Sequence, residues 1–581
     1  MSNHSSSNHG YWQKIESLFS TRVKLFLFIF FIYCLAIHLT LQGPNPTSRF
    51  LLTKSIVERG VFWFPEEYKD QYWLVPDYAQ INDKLYSDKA PGLSFLAIPF
   101  FILGKMIGNL ISFNFQPFSA YYPDNDIFAV IGIQIGLILL ASIGILRLYD
   151  ISRIMGISER NSIVASLITA FATPYWVYAR TMFAHVPAGV FLISSIFYIL
   201  KFREEKKYYQ LILAGFFTGY GFTIEFPLLF AIPWLSVLLL FPLIQSDYSW
   251  KKRLAALGIY GSITFASSLP LFLYNLINFG DITANALSFS HWADNVHLLE
   301  SVHEGLSVLL LSNDRGLLYF CPVVIFGFVG LFLASRRYPL ESAVILSLIL
   351  CFIIFYAKKW ESHGGAAFGP RYIVPILLLV GLGFGWALQN IEGSYLKQGA
   401  MLSVGVWSLF CSFLGALFAV LIFTPCGSED PIFSEALNKL ITWDTNAPIL
   451  KEFPIQFAIL FFFAIAIFIT GTLATARTKN DIRTDSTTSE QIEAYILFTW
   501  GNLIFIVSYF LQICFILSAT YINKWEKNTG EIFRKELPPS ELWLILIFSI
   551  LAVHSIWVIL HHYSSQITNI SQTIIQRLKK K

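Results

Sequence analysis

Tyr86-Ser87-Asp88-Lys89-Ala90-Pro91-Gly92 stands directly before the apolar run 93–111. Whether that run crosses a membrane decides the fold, because it sets the parity of every later segment. A carboxylate and an ammonium side by side at an apolar boundary are costly to desolvate, and such pairs are seldom kept without a use. Pro91 stiffens the chain after the pair, and Gly92 permits close backbone approach.

The remainder of the chain is built for a bilayer. Of 581 residues, 55% are hydrophobic and only 13% charged, against about 25% charged in a soluble domain. Mean hydropathy is +0.58. Apolar segments lie at 23–41, 93–111, 127–147, 161–178, 187–200, 209–226, 227–243, 254–277, 306–334, 341–356, 371–388, 400–423, 455–475, 494–518 and 541–561. Runs of this length recurring from end to end mark a polytopic membrane protein. A net charge of +4 without a basic groove or stacking platform argues against a nucleic-acid partner. Six cysteines without a CxxC pair, with only Cys426 in a clear loop, imply neither a disulfide framework nor a cysteine metal site. Met1 to Gly10, rich in Ser, Asn and His, reads as a disordered tail without a signal-peptide pattern.

Lys and Arg should mark cytoplasmic loops. The basic clusters are Lys14/Arg22/Lys24, Arg147/Arg153/Arg160, Lys201/Arg203/Lys206/Lys207, Lys251/Lys252/Arg253, Arg336/Arg337, Arg477/Lys479/Arg483 and Arg577/Lys579/Lys580/Lys581. Counting every apolar segment as a crossing puts Arg147 to Arg160 outside. Treating 93–111 as a juxtamembrane helix at the outer surface repairs all clusters at once, and Pro99, Gly104 and Lys105 within it suit that placement. Lys358-Lys359 alone then lies outside against the rule. The expected fold is an all-α polytopic membrane protein of about 14 transmembrane helices, with a large first extracytoplasmic loop (42–126) carrying juxtamembrane helices. Residues 1–22 form a cytoplasmic tail, 23–390 a catalytic module, 391–562 accessory helices and 563–581 a basic cytoplasmic tail.

Polar residues at the membrane edge gather on the outer side. Gly43-Pro-Asn45-Pro-Thr47-Ser48-Arg49 reads as a loop with a helix N-cap at Thr47 or Ser48, or as a polar rim with Arg49 as a phosphate fork. Asp77, Asp83 and Asp88 follow in the same loop, with Lys89 as a point charge for a lipid phosphate. Tyr178-Ala-Arg180-Thr-Met-Phe183-Ala-His185 is either an interfacial anchor or a frame for phosphate or sugar. Glu225 is an ionisable group in nearly apolar surroundings and needs a partner. Asp314-Arg315 sits in or beside the segment 306–334, where an internal ion pair is the alternative to a site. His291, His297 and His303 lie six residues apart, not at the i, i+4 spacing of a helical metal pair. In Trp360-Glu361-Ser-His363-Gly364-Gly365-Ala-Ala-Phe-Gly369-Pro370-Arg371-Tyr372, a glycine-rich backbone precedes an Arg that opens the next span from outside.

The outer loop after the first span, the Asp88-Lys89-Ala-Pro91 element opening a juxtamembrane helix, and the later Trp360…Gly364-Gly365…Gly369-Pro370-Arg371-Tyr372 element resemble the GT-C superfamily of membrane glycosyltransferases over about residues 20–390. The similarity is to the family 39-like branch, with its protein O-mannosyltransferases and lipid A aminoarabinose transferase. The resemblance implies inverting transfer of a sugar from a polyprenyl-phosphate donor to an acceptor outside the cytoplasm, with Lys89 at the family lysine that contacts donor phosphate. Relatives usually carry an acidic residue shortly after the first span; here Pro44 to Arg49 contains none.

The expected site therefore has Asp77 or Asp88 as base and Lys89, Arg371, Arg180 and Arg315 around the donor phosphate. Asn45, Arg49, Tyr86, His185, Glu225, Trp360 and His363 line the substrate. No metal-ligand set is assigned, and a divalent cation is the one cofactor left open. The expected partners are a polyprenyl-phosphate sugar donor, membrane lipid and an extracytoplasmic lipid, glycan or protein acceptor. The setting is a bacterial cytoplasmic membrane with the site on its outer face. The alternatives are a lipid or glycolipid transporter or flippase, for which the sequence offers no internal repeat, and a catalytically silent scaffold of the same fold.

Overall fold

The computed structural model describes residues 20–38, 41, 43–71, 77–111, 126–245, 249–290, 293, 301–312, 315–359, 362, 364–365, 367–392, 395–418 and 436. The chain divides into two units, 1–387 with 408–463, and 388–407 with 464–581. Of the second, the described residues belong to the ends of two helices.

The helices in order are α1 (Thr21–Cys34), α2 (Pro44–Arg59), α3 (Gly92–Ile111), α4 (Ile127–Ile154), α5 (Glu159–Phe171), α6 (His185–Glu205), α7 (Tyr208–Ile224), α8 (Ala231–Gln245), α9 (Trp250–Phe279), α10 (Val302–Leu311), α11 (Val324–Ala334), α12 (Pro339–Lys358), α13 (Leu377–Ile391) and α14 (Tyr395–Phe418). Among the described residues, eight helical stretches are long and apolar enough to cross a membrane. The chain is a helical, multi-pass membrane protein. The expected segments from 455 on, the 563–581 tail and most of the 1–22 tail lie outside the described residues.

α3 forms where expected and packs on α4 through glycine. A Cβ on Gly104 would stand 2.2 Å from the Phe128 carbonyl oxygen, and one on Gly132 2.5 Å from that of Phe100. Small residues let helix backbones approach this closely where no hydrophobic effect drives them together. Ile102, Leu103, Met106, Ile107 and Leu110 are exposed on α3, as lipid contact requires. Gly92–Leu110 is by length and composition also suited to cross; the parity of the basic loops is what argues for the outer surface.

Three expectations change. Segment 306–334 is not one helix but α10 and α11, with a single turn at Leu317–Phe320 between them. Pro322 disfavours helical geometry at Cys321 and supplies no amide. A Cβ on Gly316 would stand 2.3 Å from the Ser312 carbonyl oxygen, so the chain folds tightly back on itself there. Segment 161–178 likewise breaks after α5, before a single turn at Tyr175–Tyr178, at Pro174. Finally, α2 starts at Pro44, with Gly43 as N-cap at φ 111°, and not at Thr47 or Ser48. Proline is pre-organised for the first helical position, and glycine tolerates the positive φ before it.

The segment 42–126 also contains a hairpin that the all-helical expectation passed over. Strands β1 (Ala79–Ile81) and β2 (Lys84–Tyr86) pair antiparallel, with Ala79 opposite Tyr86. Asn82 takes φ 53° in the two-residue turn between them. Asn is among the few residues that enter this left-handed region readily, and hairpin turns require it.

Candidate active site

The hairpin explains how residues eleven apart in sequence meet. Continuing its register beyond Ala79 and Tyr86 puts Asp77 opposite Asp88. Lys89 then closes on both: its Nζ lies 2.8 Å from Asp88 Oδ2 and 3.5 Å from Asp77 Oδ1. Tyr86 is buried against Phe279 of α9, with ring centroids 5.5 Å apart, which anchors the strand. Ser48 Oγ donates to Ser87 Oγ at 2.9 Å, tying this turn to the first turns of α2.

The Asp88 side chain is wholly buried, and its Oδ1 has no hydrogen-bond partner. Burial pushes its carboxyl up to about 6, against the opposing pull of the Lys89 ammonium. Lys89 is raised in turn, because Asp77 and Asp88 together outweigh the desolvation that lowers it.

Arg49 is buried one turn into α2, held by Asn45 Oδ1, with its Nε unpartnered. Its carbonyl accepts from Thr53 Oγ1 and from Ser94 Oγ of α3, fixing the two helices at this point. Burial lowers its ionisation, and the carboxylates of Glu225, Asp88 and Asp77 act against this, while the Arg371 guanidinium adds to it. Arg49 is thus the electrostatic link between the loop after the first span and the late glycine-rich motif.

Glu225 occupies the extended residue between α7 and the 3₁₀ turn Phe226–Phe230. Tyr356 of α12 donates its hydroxyl to Glu225 Oε1 at 2.8 Å, and Oε2 lies 3.6 Å from Nδ1 of His185, the first residue of α6. Tyr356 stacks on Tyr372 at 4.4 Å between centroids, 8° from parallel. Lys359 Nζ donates to the Tyr372 hydroxyl at 2.5 Å. The Arg371 guanidinium lies 5.2 Å from the Phe183 ring centroid and 5.0 Å from that of Tyr372. Arg315, fully buried, donates from Nη2 to the Gly365 carbonyl at 2.9 Å, and Tyr178 donates to the Phe368 carbonyl at 2.6 Å. These two bonds hold the glycine-rich stretch. Gly364 has φ 79°, and a Cβ there would stand 3.1 Å from the Arg371 side chain; glycine is what lets this backbone lie against the arginine.

Of the expected residues, the structure brings together Asp77, Asp88, Lys89, Asn45, Arg49, Glu225, His185 and Arg371, with Tyr86 and Arg315 as supports. Trp360 and His363 lie outside the described residues. Arg180 is not drawn in: its contacts are His38 Nε2 and the Val177 carbonyl, and no carboxylate among the described residues acts on it. Phe183, named in the 178–185 motif as part of a frame for phosphate or sugar, lies beside Arg371; Lys359 and Tyr356 are members the motif reading did not assign. For Lys359 there was a signal, since it belongs to the one basic pair that violated charge parity. Among the described residues, no group of three His, Cys, Asp or Glu side chains could hold a metal ion.

Residues 125–271 match the family model described as dolichyl-phosphate-mannose-protein mannosyltransferase. No curated protein sequence matches the chain. Among solved structures, the crystal structure of ArnT from Cupriavidus metallidurans bound to undecaprenyl phosphate is 13% identical, with 78% of each chain covered and a TM-score of 0.43; a likeness at that score carries no weight alone. The matched segment contains His185 and Glu225. Over residues 125–271 this chain is therefore similar to the dolichyl-phosphate-mannose-protein mannosyltransferases, which agrees with the resemblance read from its motifs.

Proposed function

We propose that this protein is a membrane glycosyltransferase that moves a sugar from a polyprenyl-phosphate donor to an acceptor on the outer face of a bacterial cytoplasmic membrane, with inversion. The observation that carries the reading is the closing of Lys89 on Asp77 and Asp88, with a second buried cluster in which Glu225 meets His185 and Tyr356, and Tyr356 stacks on Tyr372 beside Arg371. In this reading two motifs nearly three hundred residues apart contribute to one polar site. The family match over 125–271 supports the donor class.

In this mechanism the donor phosphate takes Lys89, Arg49 and Arg371, with Lys359 beside them. The acceptor hydroxyl oxygen attacks the anomeric carbon in line as the carbon–oxygen bond to phosphate breaks. The bonding pair leaves on the phosphate oxygen, where fixed cations stabilise the charge as it develops. The hydroxyl proton passes to Asp88. A carboxyl held near about 6 is ionised at neutral pH yet is a stronger base than an ordinary aspartate. Asp77 stays on Lys89 and keeps the ammonium charged. The planar faces of Phe183 and Tyr372, close to the Arg371 guanidinium, suit a sugar ring next to its phosphate.

The test is transfer by the purified full-length protein in liposomes loaded with polyprenyl-phosphate sugar. Consumption of donor with release of polyprenyl phosphate supports the reading. Movement of donor between leaflets without consumption would replace it with a flippase. Retention of full transfer by both Asp77→Asn and Asp88→Asn would remove the base assignment.

A further inference from the structure

Arg180 carries a charge that its surroundings do not answer. It is 2% exposed, and its partners are the Val177 carbonyl at 3.5 Å and His38 Nε2 at 2.6 Å, with Nε unbonded. His38 accepts that bond, so it brings no negative charge. Burial pushes the guanidinium down to about 9, which leaves it protonated at neutral pH. Among the described residues no carboxylate acts on it. A buried cation without a counter-charge is strongly unfavourable, and neutral partners do not remove that penalty.

The same arginine lines a cavity of about 20 Å³, where one water molecule needs about 10–15 Å³. The apolar walls are Leu41, Pro46 of α2, Val130 and Ile133 of α4, and Met182. The two neutral polar side chains on the wall are already engaged. Gln134 accepts from the His38 amide at 3.0 Å and donates to its carbonyl at 2.5 Å. Thr181 donates to the Tyr178 carbonyl at 3.2 Å. Size and charge together narrow the occupant. Water fits but brings no charge. Sulfate, phosphate and carboxylates bring charge but exceed the space. A halide ion brings the charge and is little larger than water. Its hydration is weak enough for apolar walls to replace on its remaining sides. We infer that this cavity is a halide site, with chloride as counter-ion to the Arg180 guanidinium. The ion then ties α2 and α4 to the turn that precedes α6, which carries Arg180, Thr181 and Met182. The site lies apart from the Lys89 group and stands whether or not the transfer reaction proposed above is correct.

The experiment is thermal unfolding of the full-length protein in detergent, with sodium gluconate replaced stepwise by sodium chloride, bromide or sulfate at constant ionic strength. Chloride and bromide should each raise the Tm of the native sequence saturably, by about 2–4 °C. Sulfate should behave as gluconate does. The halide rise should vanish in Arg180→Gln. Pro46→Asp puts a carboxylate on the cavity wall; it should raise the Tm in gluconate and abolish the halide response. Equal unfolding in gluconate and chloride leaves the cavity to water and overturns the proposal. So does a halide response that survives Arg180→Gln, or an equal rise in sulfate. Should Arg180→Gln fail to fold, anomalous scattering from crystals of the native sequence in bromide decides. A peak beside Arg180 upholds the site, and no peak there overturns it.

Discussion

Helix α2 holds two charged groups that differ in one respect. Near its C-terminal end, Lys54, Glu58, Lys105 and Asp126 close a ring: Lys54 lies 2.9 Å from both carboxylates, and Lys105 lies 2.9 Å from Glu58 and 3.2 Å from Asp126. Every charge in that ring meets two of opposite sign. Near the N-terminal end, Arg49 enters the Lys89 group, where Asp88 Oδ1, Arg49 Nε and Glu225 Oε2 are buried without hydrogen bonds. A closed ring has nothing left to offer a ligand and braces α2 against α3 and the start of α4. An open one leaves buried polar atoms whose full desolvation penalty stands until something binds. Charge content alone does not separate structure from site; completeness of pairing does.

The comparison can be broken from either end. The largest expected effect is at Asp88. Asp88→Asn should lower the transfer rate by about 10²–10⁴-fold. It should also remove the acid limb of the pH profile. With the carboxyl raised to about 6, the base form is lost as pH falls through that value, so transfer should decline there and not near the ordinary value of about 3.9. A flat profile between pH 5 and 7 (rough bounds around that value) would assign the base elsewhere. Lys89→Gln should cost about 10²–10³-fold, mostly in kcat, because the leaving phosphate gains charge only as the bond breaks. It also leaves Asp77 and Asp88 without their shared cation.

At the ring, Asp126→Asn should reduce stability by about 3 kcal/mol, because breaking a buried pair leaves its partner charges uncompensated. Denaturant unfolding would measure this, and folded protein should retain transfer. A transfer defect without a stability loss would erase the distinction between the two groups. The smallest effect is at Lys359→Met, which removes the hydrogen bond to Tyr372 and a cation beside Arg371. A loss of about tenfold in transfer is expected, the equivalent of about 1.4 kcal/mol. No change would exclude Lys359 from the phosphate's surroundings.

Much of this was legible in sequence because membranes impose simple rules. The apolar run 93–111 became α3 almost to the residue, Pro99 and Lys105 within it notwithstanding, since a long, mostly apolar run at a membrane must satisfy its backbone internally and has few alternatives to a helix. The importance of Asp88 and Lys89 was legible because charge beside an apolar helix is expensive. The break inside 306–334 was less so: hydropathy does not register Pro322 or the tight approach at Gly316. The sequence shows that Glu225 needs a partner, but its neighbours come from α6 and α12, far off in sequence.

The sequence by itself determined the class of molecule, the charged motif before the apolar run 93–111, and the misfit of Lys358-Lys359. These follow from one-dimensional quantities, namely hydropathy, charge parity and residue type. The tertiary structure decided which charges share a site. A two-residue turn at Asn82-Asp83 sets Asp77 opposite Asp88, and packing of α2 against α3 brings Arg49 into their field. The same packing leaves Arg180 apart, with His38 and its own cavity. Coulomb energy depends on distance and local dielectric, and neither is fixed until the helices have packed.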